Sequence, residues 1–146
     1  MDCQIFLLWC DSLILLVEFK TVACPVTGVM TTMEVQRGKK EMKEKNYNRD
    51  IRATTGCTLC LLEDSIAEDE TYSHGIWGDA WFGSARTASE VGIRGHEGVF
   101  QVKQHSALFP KDFISTALED APGGVSIVLH GVAPNGVILC SFGMQT

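Results

Sequence analysis

Asp79 is the residue whose type and position in this sequence best suit chemistry. It follows the short run Gly75–Gly78, which predicts a strand, and it precedes Trp81 and Phe82. A carboxylate at the end of a strand, backed by bulky aromatic rings, can hold a divalent cation, because hard cations prefer oxygen ligands. Aspartate is also a common turn residue, since its side chain accepts hydrogen bonds from the nearby backbone. Spacing alone leaves both interpretations open.

Cys57 and Cys60 have the spacing of a redox dithiol or of one half of a zinc site. A zinc site needs two more ligands at a matching spacing, and the other cysteines and histidines form no such pair. A redox dithiol lies at the N-terminus of a helix, whereas these thiols share an apolar helical face with Leu61. The pattern therefore favours packing, with redox and metal roles as alternatives. The six cysteines are about 4% of the chain, below the roughly 8–10% of disulfide scaffolds, so we predict reduced thiols.

The remaining candidates give hydrolase and nucleotide-binding chemistry no support. The four histidines are scattered without an i, i+4 pair, and the sequence has no Gly-x-Ser-x-Gly elbow or glycine-rich phosphate loop. Ser84 follows Gly83 in a predicted turn, and a helix cap explains it.

Residues 37–52 form a basic segment, with seven Lys or Arg against three acids. Because apolar residues are few there, the pattern is typical of a solvated helix or loop. The second interpretation is a surface that contacts phosphate groups. Its candidate DNA-binding residues are Arg37, Lys39, Lys40 and Lys43.

The elements that would position these residues alternate between strand and helix around Asp79. The predicted strands, each rich in β-branched or apolar residues, are 18–23, 29–35, 75–78, 99–103, 125–129 and 136–142. The predicted helices, each marked by a capping or breaking residue, are 54–62, 84–94 and 110–118. Thr54 or Thr55 is the predicted cap of the first of them. Such alternation predicts an α/β fold.

Length and charge exclude several classes of protein. The 146 residues, 45% hydrophobic and 21% charged, have the size and composition of one globular domain. A formal net charge of −6 at pH 7 argues against tight autonomous binding of nucleic acid, which needs clustered Lys and Arg. The longest apolar run, residues 5–17, contains Asp11 and is shorter than the about 20 residues of a membrane span. With no basic region before that run, the sequence predicts an intracellular protein and not a secreted one.

Residues 78–88 read Gly-Asp-Ala-Trp-Phe-Gly-Ser-Ala-Arg-Thr-Ala and resemble the Asp-x-Trp-Phe-x-Ser segment of piggyBac-type transposases. Other segments resemble further blocks of this family in the same order. They are 18–22, 28–30 with 33–39, 53–55, 98–103 and 109–111. The resemblance covers residues 18–142, and residues 1–17 match no block.

This resemblance implies a ribonuclease-H-like core, in which three aspartates hold two Mg²⁺ ions that cut DNA and join its 3′ ends to a target. Two cations about 4 Å apart need several carboxylates to hold them. Asp79 matches the second aspartate. The first is expected after the strand 19–23, where the sequence has Cys24 and Pro25, and a soft thiolate does not suit Mg²⁺. The third is expected beyond residue 146.

A set of acids with one member in place predicts a chain without catalysis of its own. Even the loss of a residue that only supports a metal ligand lowers metal affinity or activity about 10- to 100-fold. The alternative is that the side chain of Asp11 or Glu18 reaches into the site and supplies another acid. We therefore expect a truncated, degenerate transposase remnant that binds Mg²⁺ weakly or not at all. DNA and an intact transposase are its possible partners, and the resemblance implies a nuclear location. The alternative is a domesticated DNA- or protein-binding module that uses residues 37–52.

The resemblance also divides the chain into three parts. These are an unmatched segment 1–17, a partial ribonuclease-H-like core 18–104, and the start of an inserted β-rich segment 105–146, built from a helix and a β-hairpin. A complete core closes its sheet with a later helix, so we expect exposed apolar sheet surface or an open strand edge here. Marginal stability or aggregation would follow.

Overall fold

The computed structural model describes residues 4–12, 17–37, 40–41, 44–45, 51–67, 71–103, 106, 108–132, 135–136 and 138–144. It is a mixed α/β structure. In chain order its elements are β1 (Gln4–Ser12), β2 (Val17–Ala23), β3 (Met30–Gln36), α1 (Ala53–Glu63), β4 (Gly75–Gly78), α2 (Ala85–Ile93), β5 (Glu97–Phe100), α3 (Lys111–Leu118), β6 (Ser126–Val132) and β7 (Ile138–Met144). No helix within the described ranges has the length and apolar character needed to cross a membrane.

Five strands form the main sheet in the order β3-β2-β1-β4-β5. β2 runs antiparallel to both β1 and β3, whereas β4 runs parallel to β1 and to β5. Parallel neighbours require crossover connections, and the helices α1 and α2 lie in these connections. The carboxyl ends of β1, β4 and β5 therefore meet at one end of the sheet, together with the start of β2.

β1 lies in the middle of this sheet. It pairs with β2 from Phe6↔Ala23 to Ser12↔Val17, and with β4 from Gln4↔Gly75 to Leu7↔Gly78. Its side chains Ile5 and Leu7 are buried. The segments on either side of the expected boundary between residues 17 and 18 are therefore paired within one sheet.

The helices α1 and α2 cover one face of the sheet. The buried residues of this core are Ile5, Leu7, Val22, Cys57, Leu59, Leu61, Leu62, Ile76, Phe82 and Val91. On the opposite face, Met33, Trp77 and Val99 are 56%, 39% and 47% exposed. The exposed apolar sheet surface expected from the sequence is thus present on that face.

β6 and β7 form a separate two-stranded antiparallel sheet, as the predicted terminal hairpin requires. α3 buries Ile114 and Leu118, and Asn135 in the β6–β7 connection donates a hydrogen bond from Nδ2 to Ser89 Oγ at 2.7 Å. The helix and hairpin expected over residues 105–146 are therefore both formed.

Two local predictions differ from the structure. The predicted strand 99–103 is observed as Glu97–Phe100, because β5 ends where its partner β4 ends. The predicted capping of α1 by Thr54 or Thr55 is also wrong. Arg52 is the N-cap residue and makes no side-chain capping bond, while the Thr55 hydroxyl is bound to Thr87 instead.

Candidate functional site

Asp79 lies directly after β4, at the carboxyl end of the strand, as predicted. Its carboxylate oxygen Oδ1 accepts a hydrogen bond from the backbone N–H of Trp81 at 2.8 Å. Its backbone carbonyl accepts a second bond from the N–H of Gly83 at 3.0 Å. Asp79 is thus both a carboxylate at the end of a strand and the residue that organises a tight turn.

The turn from Asp79 to Gly83 is held rigidly against the end of β5. A Cβ atom at Gly83 would overlap the backbone carbonyl of Gln101, so only glycine allows this close approach. The N–H of Gln101 in turn donates to the carbonyl of Gly78 at 3.0 Å. The ring of Phe100 lies over Gly78, where a Cβ would come within 2.7 Å of the ring. These contacts fix the position of the Asp79 backbone.

Ser84 caps α2, which confirms the interpretation of this serine as a helix cap. Its Oγ accepts a hydrogen bond from the N–H of Thr87 at 3.0 Å and lies 2.9 Å from the Thr87 hydroxyl. The Thr87 hydroxyl is also 3.0 Å from that of buried Thr55 in α1. The hydroxyl bonds therefore join the N-terminal turns of α1 and α2 at the same end of the sheet as Asp79.

Lys20 is an unexpected member of the site. Its side chain is fully buried, and its ammonium group Nζ contacts the Glu18 carboxylate and lies 4.0 Å from the centre of the Trp81 ring. A buried ammonium group needs such partners, because desolvation penalises an isolated charge. The spacing of candidate residues does not reveal Lys20. Its sequence signal is the two-residue period of a strand, which puts it on the same face as buried Val22.

The strand register does not place Cys24, the residue at the expected position of the first acid, beside Asp79. β2 is antiparallel to β1, and its last residue, Ala23, pairs with Phe6. Asp79 follows Gly78, the last residue of β4, which pairs with Leu7 of β1. β4 is parallel to β1 and so runs in the opposite direction to β2. Cys24 and Asp79 are therefore offset by about 10 Å along the strands, on strands that are not neighbours.

In the other direction, Asp11 and Glu18 are register partners between β1 and β2, about three residues beyond the level of Asp79. The Glu18 carboxylate is bound to Lys20. Among the described residues, no group of three or more His, Cys, Asp or Glu side chains could hold a metal ion. One oxygen of Asp79 is likewise occupied, by the Trp81 N–H, and the described set of acids is smaller than the several carboxylates that two Mg²⁺ ions need.

Of the described cysteines, Cys24 and Cys60 are free thiols. Cys57 is buried in the core and Cys60 is half-buried on the same helix. Burial raises the pKa of Cys60, and the charges of Glu63 and Asp64 add to the increase. The thiol of Cys24 has a lowered pKa, because hydrogen bonds from the Thr27 side chain and from nearby backbone groups stabilise the thiolate.

The basic segment 37–52 is partly described, and its charges are mixed in sign. Arg37 is exposed and lies 3.8 Å from the Glu41 carboxylate, whereas Lys45 binds Glu34 at 2.9 Å. Lys40 is exposed. The candidates Lys39 and Lys43 lie outside the described residues.

Comparisons with known proteins give a likeness of fold. No protein-family model matches this chain, and no curated protein matches it in sequence. Among solved structures, a cryo-EM structure of a piggyBac transposase synaptic complex with hairpin DNA matches with a TM-score of 0.64. The match covers 95% of this chain at 11% sequence identity, and the chain spans 32% of the length of that transposase chain. This protein therefore shares its fold with about a third of a piggyBac transposase.

Proposed function

We propose that this chain is a transposase-derived remnant of a ribonuclease-H-like core that does not cut DNA by itself. The observation that carries the proposal is the fold likeness over 95% of the chain, with an aspartate at the carboxyl end of β4. The mixed sheet, in the order β3-β2-β1-β4-β5 with β2 reversed, supports the ribonuclease-H-like assignment. The sequence resemblance around residues 78–88 points to the same family independently of the fold.

The described donors support the proposed absence of catalysis. Metal-dependent strand cleavage needs two cations that clamp the attacking and leaving oxygens, and several carboxylates must hold them. Asp79 gives one oxygen to the Trp81 N–H, and Glu18 binds the Lys20 ammonium group. The matched transposase is in complex with hairpin DNA. For this chain we propose DNA binding that is weak or absent, which agrees with its net charge of −6.

DNA nicking tests the proposal. Purified chain is incubated with supercoiled plasmid and Mg²⁺ or Mn²⁺, beside Asp79→Asn and the control Asp120→Asn, which changes an exposed acid after α3. We expect no nicking above background from any of the three. Metal-dependent nicking that is lost in Asp79→Asn and kept in Asp120→Asn would contradict the proposal, because it would reveal a complete catalytic site.

The alternative, a DNA- or protein-binding module that uses residues 37–52, has its own readout. Charge reversal at Lys39, Lys40 and Lys43 would abolish a salt-dependent DNA affinity if this segment contacted phosphates. We expect no such loss, since Arg37 and Lys45 already lie beside acids. A clear, salt-dependent loss on charge reversal would favour the binding module over the inactive remnant.

A further inference from the structure

The side chain of Lys20 brings a positive charge to the end of the sheet where Asp79 lies. It is completely buried, and its ammonium group contacts a carboxylate oxygen of Glu18, two residues earlier on β2. The Trp81 ring covers the same group, with its centre 4.0 Å from Nζ. An ammonium group held between a carboxylate and an indole face has both of the partners that favour a buried cation.

A chain of contacts connects this cation to Asp79. Glu18 binds Lys20, Lys20 lies over Trp81, and the backbone N–H of Trp81 donates to Asp79 Oδ1. The Trp81 ring is supported from the side by the fully buried ring of Phe82, with 4.8 Å between ring centres. The ammonium group thus lies between β2 and the rigid turn that carries Asp79.

We propose that Lys20 is the resident cation of this site: it supplies the positive charge that the carboxylates would otherwise take from a divalent metal, and it closes the site to Mg²⁺ and Mn²⁺. Two effects act together. The Glu18 oxygen bound to Lys20 is withdrawn from metal ligation, and the fixed positive charge repels a second cation strongly where water is excluded. The proposal rests on the proposed function only in naming this end of the sheet as the ancestral metal site.

Mn²⁺ binding in the absence of DNA tests this inference. Lys20→Met keeps the apolar stem and removes the charge, Lys20→Arg keeps the charge, and Lys111→Met is the control at an exposed lysine. Mn²⁺ binding is followed by the electron spin resonance of the free ion and by paramagnetic broadening of the backbone amides of Asp79 and Trp81. We expect Lys20→Met to bind Mn²⁺ at least about tenfold more tightly than wild type, with broadening at these amides, and both other variants to match wild type.

Unchanged Mn²⁺ binding in Lys20→Met would overturn the inference. So would wild-type binding that Asp79→Asn abolishes. Neither result involves DNA, so the inference can fail while the proposed function stands. Failure of the proposed function would be seen separately, as metal-dependent nicking of plasmid.

A measurement on the wild-type protein covers the case in which Lys20→Met does not fold. Nitrogen-detected NMR of lysine side chains should show a slowly exchanging ammonium signal that disappears in Lys20→Arg and shifts in Glu18→Gln. Millimolar Mg²⁺ should leave it unchanged. A missing protected signal, or one that Mg²⁺ displaces, would contradict the role of Lys20 as the resident cation.

Discussion

Glu18 on β2 and Asp79 after β4 are two carboxylates whose binding partners come from this same chain. Glu18 is bound by an ammonium group, and Asp79 is bound by a backbone N–H two residues on. Removing one partner of a buried ion pair costs about 3–5 kcal/mol, because the other charge is left unpaired. Glu18 is 38% exposed, so solvent screening reduces that figure here. Lys20 is therefore expected to depend on Glu18 for its burial.

Cysteine reactivity gives a prediction at the same scale. The pKa of Cys24 is lowered by hydrogen bonds to its thiolate, and the pKa of Cys60 is raised by burial and nearby acids. Because the thiolate is the nucleophile, alkylation by iodoacetamide should begin at a lower pH for Cys24 than for Cys60. Peptide mass spectrometry across a pH series measures both sites in one sample, and the reverse order would contradict these assignments.

The sign of the accompanying stability change is also determined. The folded-state pKa of Cys24 lies below its unfolded value, so its thiolate stabilises the fold fully above the unfolded pKa. That contribution is lost as the pH falls through the folded pKa. A Cys24→Ser variant should therefore lose the corresponding pH dependence on the alkaline side.

At the scale of elements, the turn between β4 and α2 joins the strand end to the rest of the fold. Gly83 lets it approach the backbone of Gln101, Ser84 caps α2, and the Thr55–Thr87 bond ties α2 to α1. The turn is thus fixed from three directions, and Asp79 needs little further ordering to keep its position.

Gly83→Ala tests how rigid this turn is. Its Cβ would overlap the Gln101 carbonyl, so the backbone must shift, and overpacking of this kind costs about 1–3 kcal/mol. Gly123→Ala is the matched control, since a Cβ there meets nothing within 4 Å. Urea unfolding measures the free energy of both variants. Equal stability of the two would show that the turn moves freely.

At the scale of the whole molecule, helices cover one face of the described sheet, and the other, here called the open face, exposes apolar side chains at Met33, Trp77 and Val99. Parallel strands are ordinarily covered on both faces, because their crossover helices lie on each side. Here α1 and α2 pack on the same face, which contains Ile76, whereas Trp77 and Val99 point to the other. The open face is the surface through which this chain is expected to associate or aggregate.

Substitution on that face tests the expectation. Trp77→Thr with Val99→Thr keeps β propensity and removes apolar surface, so self-association measured by sedimentation velocity should fall relative to wild type. Val132→Thr, at an exposed position of β6, is the control and should leave association unchanged. A wild-type chain that is monomeric and unfolds cooperatively with ordinary stability would contradict the idea of an incomplete core.

The sequence by itself determined most of the elements, because local physics decides them. Alternating residues placed β2 and β3, Ser84 began α2, and Gly95, with a φ of +81°, ended it. The residues around Asp79 also predicted its place after β4. Each of these features depends on neighbours only a few residues away, so a pattern in the chain is enough to locate it.

The tertiary structure alone decided which strand ends meet. The apolar run near the N-terminus gave no sign that β1 lies between β2 and β4, since strand pairing depends on residues far apart in sequence. Strand direction cannot be read from local spacing, and the antiparallel course of β2 carries Cys24 away from Asp79. Lys20 became part of the site for the same reason: its partner Trp81 lies 61 residues later, and packing between distant segments, not pattern, brings the two together.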